Sequence, residues 1–416
     1  MDKFKVLDLF SGAGGMAEGF LQAGFHIPCA TDYSKEASQT YINRHKQLGY
    51  DVNYFCGDIR ELSRKNRNLL NLIGNNKIDV VVGGPPCQGF SMSGKRDEND
   101  FRNLLFLEFL RIVKKVKPSY FVIENVEGLL SFKFSRIEGL DKEIYEDVYP
   151  QEIIQKEAFK MGYFVKMKLL NAKDYGVPQN RPRIIFLGHK IRRYRGGHFK
   201  NLVAAPEFPK KIDKIVTVED AISDLNFLAN GQVSMVYNNK YGNKSDYQLG
   251  LKEGLTPNID GKGVPAFNLH NHQASKHNEK TVSRFKLLEP GESISELMAR
   301  LSEELKEEHS TKKFRCTKLD KKSVSPTVLT LPDDIIHYDK HNARILTVRE
   351  FARLQSFDDS FVFLGKRTTG GERRKYETPQ YTQVGNAVPP LFAKKIGEEI
   401  MKALIQTENS NMASKV

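Results

Sequence analysis

The strongest constraint on the fold is an alternation, in the first half of the chain, of short apolar runs with amphipathic helical patterns. The strand-like runs are FKVLDLF (4–10), IPCATD (27–32), IDVVV (78–82), SYFVIENV (119–126), YFVKMKLLNA (163–172) and RIIFLG (183–188). Helical patterns lie between them, for example at 16–25, 35–47 and 104–116. Strands that alternate with helices form a mostly parallel sheet with helices on both faces, so the sequence predicts an α/β fold.

The pattern weakens after about residue 190, where Asn, Lys, Gly and His accumulate. We predict four segments, namely a first domain over 1–190, a second, smaller and irregular domain over 191–370, a return segment over 371–405 that completes the first domain, and a disordered tail over 406–416. Helices are predicted at 293–309, 348–357 and 388–405.

Composition narrows the partners and the compartment. The chain has 416 residues, which suits two domains, and its 64 Lys and Arg against 51 Asp and Glu give a net charge of +13. This balance suits a polyanionic partner, although a merely lysine-rich protein is the alternative. The four cysteines show no C-x-x-C spacing, so neither a disulfide framework nor a zinc site is indicated. Without a signal-peptide pattern or a long apolar run, a cytoplasmic location is predicted.

A glycine-rich segment, DLFSGAGGMAEGF (8–20), follows the first predicted strand. Gly12, Gly14 and Ala17 match G-x-G-x-x-G/A, which allows close approach of a ligand to a helix N-terminus. Asp32 follows about 20 residues later, where a carboxylate can accept hydrogen bonds from ribose hydroxyls. The pattern favours a nucleotide-type cofactor, and glycines that serve only helix–strand packing are the alternative. Asp58, at a third strand end, is either a ligand of an adenine amino group or a helix N-cap.

A second loop, GGPPCQGFS (83–91), presents Cys87 after two glycines and two prolines at a strand end. Pro85 and Pro86 restrict the backbone and the glycines leave space beside it. Ligands bind at the strand ends of open α/β sheets, so a reactive thiol is favoured over a structural cysteine. Glu124 ends another apolar run and can act there as a proton donor.

Two arginines follow in PQNRPRIIFLG (178–188). Arg181 and Arg183 are two residues apart, so in an extended segment both would point to one side. Guanidinium groups bind carbonyl and phosphate oxygens well.

Taken in order, these blocks resemble the DNA (cytosine-5)-methyltransferases, bacterial or archaeal type. The blocks are DLFSGAGG, GGPPCQGFS, ENVEG, QNRPR, RILTVREFARLQSF (344–357) and QVGNAVPP (383–390). They cover nearly the whole chain. Asp358 departs from the pattern, because many members have proline after the SF of this fifth block.

The resemblance implies a Rossmann-like S-adenosylmethionine-dependent methyltransferase domain, with S-adenosylhomocysteine as product and no metal. The residues implied at the cofactor are Phe10, Gly12, Gly14, Asp32 (ribose), Tyr33 (beside the adenine), Asp58 and Ile59 (adenine edge), Leu105 and Asn386. The implied catalytic residues are Cys87, which adds to carbon 6 of cytosine, Glu124 at N3, Arg183 at O2 and Arg181 bracing the loop. Gln88 and Ser91 are the implied DNA contacts.

The resemblance also implies the partner. The substrate would be double-stranded DNA, from which the target cytosine must be flipped, and the region 191–370 would hold the target recognition region. Its basic stretches at 189–200 and 311–322 suit a phosphate backbone, although a charge run is more often a solvated face. A cytoplasmic, nucleoid-associated monomer with a cognate restriction endonuclease, and no membrane association, is predicted. A metal at HNHQASKH (270–277) is disfavoured, because the segment has no acid or cysteine to complete a ligand set.

Two alternatives stay open at this level. One is a tRNA cytosine-5 methyltransferase, which shares these blocks but has a Cys-Phe-Thr segment and a short insert before the fifth block. Here Cys316 is followed by Thr317 and Lys318, and the insert is long. The other is a catalytically inactive DNA-binding relative, which the intact Cys87, Glu124, Arg181 and Arg183 disfavour.

Overall fold

The structure is a computed structural model, and it describes residues 4–86, 100–242 and 245–413. Its strands are β1 (Lys5–Leu9), β2 (His26–Asp32), β3 (Asn53–Cys56), β4 (Val80–Gly83), β5 (Tyr120–Val126), β6 (Phe134–Glu138), β7 (Ile144–Val148), β8 (Tyr163–Asn171), β9 (Pro182–Arg193), β10 (Phe199–Asn201), β11 (Thr317–Lys318) and β12 (Ile335–Ile336). Its helices are α1 (Gly15–Gln22), α2 (Lys35–Gln47), α3 (Ile59–Arg64), α4 (Asn66–Ile73), α5 (Leu105–Val116), α6 (Pro150–Lys160), α7 (Val218–Ile222), α8 (Asp246–Glu253), α9 (Glu279–Leu287), α10 (Ile294–Arg300), α11 (Glu303–Glu308), α12 (Val348–Leu354), α13 (Gln380–Asn386) and α14 (Pro390–Ala413).

Eight strands form one sheet, in the order β10–β9–β5–β4–β1–β2–β3 with β8 also paired to β9. The five strands β5, β4, β1, β2 and β3 are parallel to one another. Strand β9 is antiparallel to β5, β8 and β10. The predicted α/β class with a mostly parallel sheet is therefore confirmed. The last two predicted strands do not extend the parallel pattern, because the ten residues between β8 and β9 contain no crossover helix.

Helices cover both faces of the sheet. One apolar cluster joins side chains of β1, β4 and β5 to α3, α4, α5 and α6. A second cluster on the other face joins the same strands to α1, α2 and α14. The strand segments VVV (80–82) and YFVI (120–123) are fully buried, which explains why they read as continuous apolar runs rather than alternating ones.

The C-terminal helix α14 packs on α1 through small residues. A Cβ added at Gly19 would overlap Ala393 and the backbone of Lys394, and one added at Gly397 would lie 2.9 Å from the Cβ of Ala23. The predicted disordered tail from residue 406 is wrong in part, because α14 reaches Ala413. The Thr407 hydroxyl stabilises this extension, since it accepts from the Ala204 N–H and donates to the Ala403 carbonyl, each at 2.8 Å.

The chain after β10 forms helices and irregular segments around two further apolar clusters. The first of these clusters contains Ala13 of the glycine-rich segment together with Val348, Phe351 and Phe357, so the C-terminal part of this region packs directly on the first loop. The helix predicted at 293–309 is two helices, since Leu301 and Ser302 are extended and α11 begins only at Glu303. In the described ranges, no helix is long and apolar enough to cross a membrane.

Candidate active site

The carboxyl ends of four parallel strands meet at one edge of the sheet. Leu9 pairs with Thr31 and with Gly83, and Gly83 pairs with Ile123. The loops that follow β1, β2 and β4, and the end of β5, therefore lie side by side. This edge is where ligands bind in open α/β sheets.

The loop after β1 adopts an unusual backbone that its glycines permit. Gly12 has φ +54° and Gly14 has φ +106°, and a Cβ added at Gly12 would have nothing within 4 Å. The Gly12 N–H donates to Asp32 Oδ2 and the Ser34 N–H donates to Oδ1, both at 2.8 Å. Asp32 thus holds the loop in a form that leaves open space in front of Gly12, as a ligand would require.

Two carboxyl groups near this loop have a raised pKa, those of the buried Asp8 and the half-buried Asp32. Burial raises the pKa of Asp8 from 3.8 to about 8, with a smaller contribution from Asp32, and the Tyr41 hydroxyl donates to Asp8 Oδ2 at 3.3 Å. Burial also raises the pKa of Asp32, although the N–H donors of Ser34 and Gly12 oppose the shift. Sequence reasoning did not single out Asp8, although a carboxyl inside an apolar strand was a usable signal.

The residues predicted for the adenine side are partly assembled. Ile59 and Leu105 belong to one apolar cluster, and Phe10 packs against it. Asp58 caps α3 by accepting from the Arg60 N–H at 2.9 Å, and it also pairs with the Arg60 side chain. That hydrogen bond to Arg60 lowers the pKa of Asp58.

Of the two roles that the sequence left open for Asp58, the structure shows the helix N-cap, and the contact with an adenine stays a prediction. Tyr33 is 80% exposed, and Asn386 is exposed at the end of α13. Both side chains have room to meet a ligand.

The groups predicted to hold the base form an ion pair. Arg183 Nε lies 2.8 Å from Glu124 Oε1, and each side chain is about one-tenth exposed. Arg183 Nη1 also donates to the Pro182 carbonyl at 2.7 Å. Glu124 Oε2 would lie 3.0 Å from a Cβ added at Gly84. The carboxylate is thus directed by Arg183 against the loop that leads to Cys87, where a glycine leaves room for it.

Arg181 lies elsewhere, against the predicted return segment. Its guanidinium donates to the carbonyls of Val328, Gly385 and Ala387 at 2.8–3.0 Å. The spacing of two predicts that Arg181 and Arg183 point to the same side, but Arg181 precedes β9 and only Arg183 meets Glu124. Arg181 instead braces the backbone on both sides of Asn386.

Asn125 is a positioning residue that sequence reasoning missed. It is buried, its Nδ2 donates to the Pro85 carbonyl at 3.2 Å, and its Oδ1 accepts from the Val126 N–H at 2.9 Å. It therefore ties the end of β5 to the loop before Cys87. An amide inside the apolar run SYFVIENV was the available signal. Cys87, Gln88 and Ser91 themselves lie outside the described residues.

The histidines of HNHQASKH serve the packing of the second region. His272 is buried with Nδ1 3.0 Å from the Thr347 hydroxyl, and burial lowers its pKa to about 4. The backbone N–H of His277 donates to Asn230 Oδ1 at 2.9 Å. Within the described ranges no group of three or more His, Cys, Asp or Glu could hold a metal ion.

The sheet, its two helical layers and the glycine-rich loop define the class of S-adenosylmethionine-dependent methyltransferase folds. Solved structures share this fold, including one described as a DNA modification methyltransferase encoded within a prophage (E. coli), at 24% identity with a TM-score of 0.68 over 97% of this chain and 99% of that one. A methyltransferase of Entamoeba histolytica has a TM-score of 0.56 at 15% identity, over 97% and 99% of the two chains.

Sequence comparison names the family. Residues 4–402 match the model of C-5 cytosine-specific DNA methylases, and the chain belongs to this family. It is 34% identical to Type II methyltransferase M.DdeI of Desulfomicrobium norvegicum, over 95% of this chain and 88% of that one. It is 35% identical to Type II methyltransferase M1.HphI of Haemophilus parahaemolyticus, over 95% and 86%. The resemblance seen in the sequence is confirmed, and the protein is an enzyme of the DNA (cytosine-5)-methyltransferase class.

Proposed function

We propose that the protein transfers a methyl group from S-adenosylmethionine to carbon 5 of a cytosine flipped out of duplex DNA, with Cys87 as the covalent nucleophile. The observation that carries this proposal is the Glu124–Arg183 pair, nearly buried at the carboxyl edge of the sheet. It lies one strand away from the loop that leads to Cys87, since β4 and β5 are neighbours. A paired carboxyl and guanidinium match the N3 and O2 edge of a cytosine.

The described residues fit the proposed cofactor. Gly12 leaves open space at the N-terminus of α1, and Asp32 is fixed beside it by two backbone donors. Phe10, Ile59 and Leu105 supply an apolar surface. Gly14, Tyr33, Asp58 and Asn386 would complete the site, with Arg181 holding the backbone around Asn386. When bound, S-adenosylmethionine supplies the methyl group that carbon 5 takes up.

The chain's own residues would act on the base. The Cys87 thiolate adds to carbon 6, the carbon 5–carbon 6 double bond breaks, and its electron pair makes carbon 5 nucleophilic. Glu124 hydrogen-bonds or protonates N3 while Arg183 holds O2, so the charge that develops on the ring meets fixed partners. After methylation, a base or water removes the carbon 5 proton, the double bond reforms and the Cys87–carbon 6 bond breaks.

The DNA has to be held while the base is out of the stack. Flipping costs a few kcal/mol, which contacts to the backbone and to the vacated position offset. We propose that Gln88 and Ser91, next to Cys87, contact the position that the flipped base vacates. The segment 191–370 would carry the target recognition region, and 1–190 with 371–405 would form the catalytic domain. The names of the two relatives above support a restriction-modification role. We propose in addition that the protein acts as a monomer in the cytoplasm and has a cognate endonuclease.

The central test is methyl transfer by the wild-type protein and a Cys87→Ser variant. Wild type should label duplex DNA at carbon 5 of cytosine, as read by bisulfite sequencing. The variant should lose turnover by at least about 10³-fold, because its hydroxyl is a weak nucleophile without an activating base, yet it should bind S-adenosylmethionine as wild type does. Loss of cofactor binding in the variant would mean that the loop is structural.

The same assay separates the alternatives. Labelling confined to tRNA would replace this proposal with an RNA enzyme. Wild type should also form a covalent adduct with duplex DNA containing 5-fluorocytosine in the presence of S-adenosylmethionine. No adduct and no labelling on genomic DNA of varied sequence would point to a DNA-binding relative without activity.

A further inference from the structure

A strongly basic surface lies at the end of the sheet opposite the candidate active site. Residues 111–119 and 189–200 contain nine Lys or Arg and no Asp or Glu. The two segments touch, since Lys190 N–H donates to the Ser119 carbonyl at 3.1 Å and Lys190 Nζ donates to the Lys117 carbonyl at 3.2 Å. We call the β9–β10 part of this surface, residues 190–201, the basic ribbon.

The basic ribbon places two cations directly opposite each other. Arg192 of β9 is the register partner of Lys200 of β10, and both side chains are exposed. Cross-strand partners lie on the same face, and like charges in that arrangement destabilise a sheet. The fold therefore tolerates an unfavourable pair at this position. A bound anion between the two side chains would turn the repulsion into attraction.

Local acids do not neutralise this charge. Arg111 and Lys114 pair with Glu108 and Asp141. In the part of the chain that the structure describes, no ion pair forms on the remaining exposed cations, namely Lys115, Lys117, Arg192, Arg193 and Lys200. These unneutralised cations thus belong to one continuous surface.

The basic ribbon has more exposed cations than exposed aromatic rings. Phe199 stacks on Phe164 with ring centres 4.9 Å apart, and Arg193 lies 5.4 Å from the ring centre of Phe159. Tyr194 is the more exposed ring of the ribbon, at 51%. Binding of single strands uses a series of rings on which successive bases stack, whereas several cations beside few exposed rings fit the phosphates of a duplex better.

The distance between the basic ribbon and the candidate active site indicates which part of the DNA the ribbon can contact. Arg183 is the second residue of β9 and Arg193 is its last, ten residues further on, so about 34 Å separates them at 3.4 Å per residue. The DNA that delivers the target cytosine to Glu124 and Arg183 lies at the other end of β9. A straight duplex covers that distance in about ten base pairs, so the basic ribbon faces DNA at least about one helical turn from the target base, whereas 189–200 was expected to belong with target recognition.

We infer that the basic ribbon is a second, sequence-independent contact for duplex DNA, which holds a segment other than the one that carries the target base. This goes beyond the proposed reaction and rests only on DNA being the partner of the family. It would let one molecule stay attached to DNA while the catalytic end changes sites.

The test compares R192Q/K200Q with a matched control, K46Q/R67Q, whose two exposed cations lie on α2 and α4, which pack on β2 and β3 at the opposite edge of the sheet from β10. One readout is affinity for a non-target duplex across a range of salt concentrations. A second is energy transfer between two differently labelled duplexes bridged by the protein. A third is methyl transfer to short DNA fragments, and a fourth is thermal stability.

R192Q/K200Q should lower the steepness of log K against log salt concentration by about 0.9 for each phosphate that the protein no longer neutralises, and it should abolish bridging. Its methyl transfer to short fragments should stay within about twofold of wild type, and its thermal stability should be equal or higher because the like-charge pair is gone. The control should behave as wild type.

Unchanged bridging and salt dependence in R192Q/K200Q would overturn the inference. A wild-type protein that bridges duplexes but never methylates them would sink the proposed reaction and leave the second contact standing. The two claims therefore fail separately.

Discussion

Gly12 and Gly15 lie three residues apart and serve different needs. Gly12 has a positive φ and open space around it, while a Cβ on Gly15 would overlap the Val388 carbonyl oxygen and crowd Phe357. The first glycine leaves room for a ligand, and the second lets the C-terminal segment pack against the loop. Both roles appear as one glycine-rich run in the sequence.

A pair of alanine substitutions separates the two roles. Gly12→Ala should cost about 1–2 kcal/mol of stability from its left-handed backbone and should weaken S-adenosylmethionine binding at least tenfold, because the methyl group enters the open space. Gly15→Ala should destabilise the fold by about 3 kcal/mol or more, since backbone must move. Urea unfolding and calorimetric titration measure both. Equal stability losses with unchanged cofactor affinity would contradict this division.

At the scale of elements, a buried charged network joins α1 and α2 to the C-terminal region. Arg44 of α2 lies 2.9 Å from Glu18 of α1 and 3.1 Å from Asp358. The Asp358 carboxylate also accepts from the N–H groups of Leu255 and Thr256 at 2.9 Å. Asp358 is the position where the family pattern has proline. Here its side chain joins the segment at 255–256 to Arg44 of α2.

Removal of Arg44, the cation at the centre of this network, should destabilise the protein strongly. Arg44→Ala leaves two buried carboxylates without their partner and should lower the free energy of unfolding by about 3–5 kcal/mol. Lys65→Ala is a suitable control, because Lys65 forms only an exposed pair with Glu61 at 3.9 Å, and it should change stability by about 0.5 kcal/mol or less. Similar losses for both variants in urea unfolding would mean that the network adds nothing to stability.

At the scale of the whole molecule, buried groups set how stability depends on pH. Asp8 keeps its proton in the folded state up to about pH 8, whereas in the unfolded chain it ionises near 3.8. Stability therefore falls as pH rises between these values, because only the folded state binds the proton. Burial lowers the pKa of His45 and His272 from 6.5 to about 4, which produces the opposite trend below pH 6.5. Between pH 6.5 and 8 these histidines no longer contribute, so the fall in stability there comes from carboxyl groups with a raised pKa, among them Asp8.

Asp8→Asn should remove the Asp8 part of that fall. Wild type should lose up to about 2 kcal/mol of unfolding free energy from pH 6.5 to 8 through Asp8, at about 1.4 kcal/mol per pH unit, while the variant should lose clearly less. Denaturant unfolding at several pH values measures this. Asp51→Asn, at an exposed position, should keep the wild-type slope, and a wild-type slope in Asp8→Asn as well would show that the buried carboxyl is ionised throughout.

The sequence by itself determined much of this protein. The parallel strands, the helices between them and the family were readable because strands buried on both faces are continuously apolar and because catalytic blocks keep their residue types. The sequence did not show that β8 and β9 are antiparallel or that β6 and β7 form a hairpin, since a local pattern does not encode which strand is the neighbour. It also did not show the break between α10 and α11 at Leu301, because the apolar spacing continues across it.

Only the tertiary structure decided how the candidate site is divided. Arg181 and Arg183 have the same chemistry and differ by two positions, yet one braces the backbone around Asn386 and the other meets Glu124. The protonation of Asp8, the Asn125 tie to Pro85 and the cation pair of the basic ribbon likewise depend on groups that are far apart in the chain. Burial and charge–charge distance are properties of the packed molecule, so the sequence could supply the residues but not their partners.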